Sequence, residues 1–234
     1  MTTAGNETML NDPLIAEDLM LLMMDDTSGA IAGEGTLYYT LGGAVLVELS
    51  NGGHVTVDQN DRGLTGLKVR AVPGRRLRDP LLRSAHGKAA ERVRGVQSLL
   101  AEIGTGLREP VLGQLVKRGT VRRESKKWLG VFPSTSTAIA DTGHKKALVE
   151  KVRAVLVDDV EPDARTAALI GLLSASGTLP SLHRSVPWSG KVYKRAKEVE
   201  QGNWGAAAVN TAVMRTMAAI SAGTAAAVSA AVSS

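Results

Sequence analysis

The sequence predicts a mainly α fold: a compact multi-helix single domain with short β-hairpins, one of them protruding. Three observations lead there. Ala, Leu, Val and Arg dominate while only seven residues are aromatic, which favours close-packed helices over a sandwich. Apolar runs of helical length open at Asp-Pro pairs and close at Gly. Two of these helices stop at a Gly and run straight into short alternating segments, the pattern of a hairpin.

In chain order, residues 1–12 are polar and lack Lys and Arg, so they read as a flexible N-terminus without a secretory signal, and the helical domain covers 13–234. Asp12 and Pro13 are expected to open a buried helix over Leu14–Met24, ended by the turn Asp25–Gly29. A Gly-rich loop precedes a helix over Thr36–Ser50, followed by a strand at His54–Asp58 and its return at Leu64–Val72. The basic loop Pro73–Arg78 leads to Asp79-Pro80 and helices over Pro80–Ala90 and Arg92–Ile103. A short helix over Leu107–Arg118 leads into a hairpin over Thr120–Phe132 that turns at Glu124–Lys127, with a Ser/Thr-rich loop from Pro133. Helices are expected over Gly143–Val157, from Asp163 to about Ser176, and over Ser189–Gln201. The Ala-rich segment Ala206–Val232 contains Asn210 and Arg215 and has little Leu or Ile, so it reads as a buried core helix rather than a membrane span.

The net charge of +5 conceals a strong segregation. Residues 1–61 carry ten acidic side chains and no Lys or Arg, whereas residues 62–127 carry 17 basic and five acidic ones. Such a surplus attracts phosphate, on lipid headgroups or nucleic acid, except where acidic and basic stretches face one another. With no cysteine and four scattered histidines, a metal site is not expected. Neither G-x-S-x-G, H-E-x-x-H nor a Walker loop is present, and Gly29–Gly35 lacks dinucleotide-binding spacing, so neither catalysis nor a cofactor is expected.

The segments Leu14–Leu22 closing at Asp25-Asp26, Leu41–Leu49, Leu112–Gly119 running into a hairpin that ends Trp128–Phe132, and Asp163–Leu173 together resemble the Golgi phosphoprotein 3 family in order and spacing. The resemblance implies a compact, mostly helical fold with a protruding hairpin. It implies binding of phosphatidylinositol 4-phosphate and a hairpin that takes part in oligomerisation and membrane contact. The absence of cysteine fits the expected cytoplasmic location, peripheral to the inner face of a membrane. The Ala/Arg-rich style is closer to the bacterial branch. The family's headgroup pocket uses one Trp and three Arg; the matching positions here are Gly33, Gly42, Thr105 and Arg108, so Arg108 alone keeps the family's residue.

The expected function is a peripheral module for anionic phospholipid headgroups. Arg108 and the loop arginines Arg75, Arg76 and Arg78 are the expected phosphate ligands. Arg122, Arg123, Lys126 and Lys127, beside Trp128 and Leu129, are the expected membrane or subunit contact, since Trp favours the headgroup boundary. The alternative is a winged-helix-like nucleic-acid-binding regulator: Leu46–Val57 and Leu112–Val121 both read helix, Gly, hairpin, and Arg108, Gln114, Lys117 and Arg118 are the available readers.

Overall fold

The computed structural model describes residues 12–63, 66–74, 76–128 and 132–202, apart from the side chains of 58–63, 124–128 and 132–136. The expected core helix over 206–232, Arg75, Leu129 and most of the N-terminal segment lie outside the described residues. The described residues form a mainly α, single domain with two small antiparallel sheets. Among the described residues no helix is long and apolar enough to cross a membrane.

Helix α1 (Ile15–Met23) is buried along its whole length, as a helix apolar nearly all round must be. It is not capped by Asp12. Leu14 occupies the cap position in extended backbone, and Glu17 reaches back to accept the Leu14 N–H at 2.7 Å. After a short 3-10 turn (Glu34–Thr36), helix α2 (Leu37–Asn51) packs against α1 and is almost as deeply buried.

The first sheet pairs β1 (Val55–Gly63) with β2 (Gly66–Ala71), with a register shift between Asp58 and Arg62. Helix α3 (Pro80–Glu91) follows the expected Asp-Pro start: the Asp79 carboxylate accepts from the Leu81 and Leu82 N–H groups at 2.8 and 3.1 Å. The next helix does not begin at Arg92. Residues Arg94–Gly95 form a short strand, β3, on the free edge of β2, and α4 (Val96–Gly104) starts only after it. Arg94 explains the detour, because its guanidinium binds the carboxylates of Glu91 and Glu102 and so fixes the chain between the two helices.

Helix α5 (Arg108–Lys117) leads into the second hairpin, β4 (Val121–Trp128) and β5 (Phe132–Ile139). This hairpin is longer than expected, and its turn does not lie at Glu124–Lys127. Pairing runs in unbroken register from Val121↔Ile139 to Trp128↔Phe132, so the presumed Ser/Thr loop is a strand. In a two-stranded sheet both strands keep a free edge, and that tolerates Pro133 opposite Lys127.

Helix α6 (Thr142–Val157) buries the expected Leu148, Val152, Val155 and Leu156. Helix α7 (Ala164–Ala175) is capped by Asp163, whose carboxylate accepts the Thr166 N–H at 2.6 Å. That bond holds the Asp163 carboxyl below its ordinary range. Helix α8 (Gly190–Gln201) starts at Ser189, with Trp188 edge-on to Tyr193 at 6.2 Å. One residue precedes the cap and the other lies in the first turn, so this half-exposed aromatic pair forms a hydrophobic staple.

Candidate functional site

Helix α5 is the scaffold of the candidate site, because three groups of expected ligands border it. Its buried face, Val111, Leu112 and Leu115, anchors it to the core. Gln114 donates to Asp79 at 2.9 Å, which docks the loop carrying Arg76 and Arg78 beside it. Arg76 and Arg78 are exposed while Leu77 between them is buried, so the loop is pinned at its centre with both guanidinium groups outside. The hairpin grows from the other end of α5: Ala140 N–H returns to the Thr120 carbonyl at 2.8 Å, closing its base. The base also rests on the loop after α1, where a Cβ on Gly29 would lie 1.8 Å from the Thr137 carbonyl oxygen.

Arg122, Arg123, Lys126, Lys127 and Trp128 all fall on β4 rather than in a turn. Arg122 and Arg123 are exposed at the base of the hairpin. The backbone places Lys126 opposite Ser134 and Lys127 opposite Pro133, further out along the same strand.

Arg108 is paired with acidic neighbours. Its Nε donates to Glu34 at 2.8 Å and its guanidinium binds Glu109 at 2.5 Å. Glu109 in turn accepts from Arg123 at 2.9 Å. The result is a ladder of alternating charge, Glu34–Arg108–Glu109–Arg123, whose formal sum is zero. It ties the 3-10 turn, α5 and the hairpin together.

Of the other positions matched to the family's pocket, Gly42 is closed by packing, while Gly33 and Thr105 are exposed. Gly42 is buried where α2 meets α4; a Cβ there would lie 2.5 Å from the Leu100 carbonyl oxygen, leaving no room for an arginine. Gly33 has φ +68°, and a Cβ there would meet the Thr178 side chain at 2.6 Å. Thr105 turns its hydroxyl back to the Ala101 carbonyl at 2.7 Å. Among these four positions only Gly42 is buried, and Arg108, the one charged residue, is paired with acidic neighbours.

Several acidic groups of the first 61 residues do face basic partners. Glu17, fully buried, binds Arg118 at 2.6 Å. Asp18, 2% exposed, accepts from both Arg165 (2.6 Å) and His144 (2.7 Å). Glu48 takes the Ile15 N–H and lies 4.0 Å from Arg165. Burial pushes the Glu48 carboxyl above its ordinary value, against the pull of that N–H and of Arg165. This ionic cluster joins α1, α2, α5, α6 and α7 at the open end of α1.

Among the described residues, Arg70, Arg76, Arg78, Arg92 and Lys117 are exposed and form no ion pair. They come from β2, the lead-in to α3, the end of α3 and the end of α5. Of the four residues on and beside α5 that were expected to read nucleic acid, Arg108, Gln114 and Arg118 are engaged by Glu34, Asp79 and Glu17 respectively. Lys117 is left as an unpaired reader.

A mainly helical body with a hairpin following a short helix defines a class of helical domains with a β-hairpin. The chain matches the family model described as Golgi phosphoprotein 3 (GPP34) over residues 15–216, and it belongs to that family. No curated protein matches the chain by sequence.

Proposed function

We propose that this chain is a peripheral membrane-surface module that binds anionic phospholipid headgroups through its net charge, without the family's stereospecific headgroup pocket. The observation that carries this reading is the set of exposed, unpaired cations Arg70, Arg76, Arg78, Arg92 and Lys117. Each such residue near an anionic surface contributes on the order of 1 kcal/mol, screened within about 10 Å at ordinary salt. Family membership supports a lipid role. The loss of three of the four pocket residues, with no room for an arginine at the buried Gly42 and Arg108 paired with Glu34, argues against recognition of one phosphoinositide there.

Catalysis plays no part in this proposal. The protein works by position, presenting a charged face to a surface, with the hairpin as the added contact for a membrane or a second subunit. The nucleic-acid reading is weaker, because three of its four readers are already engaged.

Competition separates the two readings. The full chain is mixed at low salt with vesicles containing a third phosphatidylglycerol and with an equal phosphate concentration of duplex DNA. Retention on the vesicles supports the proposal; transfer of the protein to DNA overturns it.

A further inference from the structure

A cleft of about 620 Å³ lies away from α5, between the loop that follows α1, one side of α6 from Thr142 to Arg153 and the turn at 181–185. Its size falls in the range of small-molecule sites, roughly 300–1,000 Å³. Its walls are fixed before any ligand arrives. Lys145 is buried, and its ammonium donates to the Met24 carbonyl and to the Asp26 carboxylate, fastening the loop to α6. The loop is itself held by Asp25, whose carboxylate accepts the Ser28 N–H and hydroxyl at 2.8 and 2.9 Å. The Ala32 N–H bonds the Met23 carbonyl at 2.8 Å and closes the other side.

The interior is apolar, lined by Leu22, Met23, Met24, Ile31, Val149 and Leu182. Methionine side chains adapt to irregular ligands, which suits a flexible chain. The mouth is charged, with Lys145, Lys146, Arg153 and Arg184 beside Asp25, Asp26 and Glu150. Lys145 is committed to Asp26, and Arg153 to Asp158 at 2.9 Å. Lys146 and Arg184 are exposed and make no hydrogen bond or ion pair among the described residues. An apolar interior with two unpaired cationic donors, Lys146 and Arg184, at its mouth complements a single alkyl chain ending in one negative charge.

We infer that this cleft binds a long-chain carboxylate, its alkyl chain inside and its head between Lys146 and Arg184. This is separate from the membrane-surface reading, which stands or falls on vesicle binding. The test is calorimetric titration of the full chain with octanoate, decanoate and dodecanoate below their micelle concentrations, and with decanol as the uncharged match. Each added methylene buried raises affinity about fourfold. The expected result is one saturable site following that increment, with decanoate bound at least tenfold better than decanol. Lys146→Ala with Arg184→Ala removes the preference for the carboxylate and keeps the chain-length increment. Val149→Trp fills the cleft and abolishes binding; should that variant fail to fold, the charge variant decides alone.

Absence of saturable binding overturns the inference. So does equal binding by the wild type and folded variants, which places the ligand elsewhere. A dimer that Val149→Trp dissociates, with no carboxylate bound, assigns the cleft to a second copy of the chain and also overturns it.

Discussion

Glu34 sets how much positive potential Arg108 presents. The two side chains are half exposed and 2.8 Å apart, so the pair contributes little to stability yet cancels a charge at the surface. Glu34→Gln is expected to raise affinity for anionic vesicles about fivefold, corresponding to roughly 1 kcal/mol for one added unit of positive charge, with the melting temperature nearly unchanged. Unaltered vesicle affinity would show that Arg108 lies off the contact surface. Glu48 carries a different consequence. Its folded-state pKa is raised, so the native protein holds that proton more tightly than the unfolded chain. Its contribution to stability is therefore most favourable below the ordinary value of 4.5 and declines as pH rises through the raised one. Glu48→Gln keeps an acceptor for the Ile15 N–H and removes this slope. Urea unfolding of both proteins between pH 4 and pH 7 checks it: the variant should gain relative stability toward pH 7, and parallel profiles would refute the assignment.

At the level of elements, the contact of α2 with α4 depends on two glycines. A Cβ on Gly104 would lie 1.8 Å from the Tyr38 carbonyl oxygen, and one on Gly42 would meet Leu100. Gly104→Ala should therefore cost about 1–3 kcal/mol in urea unfolding, the usual range for overpacking. An unchanged midpoint would mean that the helices are not so closely apposed. The same geometry explains why the Golgi phosphoprotein 3 family's arginine cannot stand at position 42. Helices α1, α2, α3, α6 and α8 were legible in the sequence because apolar spacing and local caps such as Asp79 and Ser189 mark them. Strand β5 was not, since Ser/Thr composition resembles a loop until a partner strand supplies its hydrogen bonds. The cap of α1 was misplaced for a similar reason: Glu17 serves as both cap and ion-pair partner to a residue 101 positions away. The loop arginines were legible as candidates. The capture of Arg108 by Glu34, 74 positions distant, is a tertiary fact that no local pattern carries.

Across the whole molecule, folding redistributes the charge that the sequence segregates. Several acidic side chains of the first 61 residues turn toward later basic ones, as in Glu17–Arg118, Glu34–Arg108 and Asp26–Lys145. Among the described residues, the exposed unpaired cations around β2, α3 and α5 are the ones on which the proposed membrane attachment rests. Co-sedimentation with phosphatidylglycerol vesicles tests this most directly, using wild type and the Arg76→Ala, Arg78→Ala double variant at 50 and 200 mM salt. Two lost cations remove about 2 kcal/mol, close to 30-fold in affinity. The expected result is wild-type binding at low salt that weakens at high salt, fails to favour phosphatidylinositol 4-phosphate at equal surface charge, and drops by that factor in the variant. A wild type that ignores anionic vesicles at 50 mM salt, or a variant that binds them as well as the wild type, would contradict it.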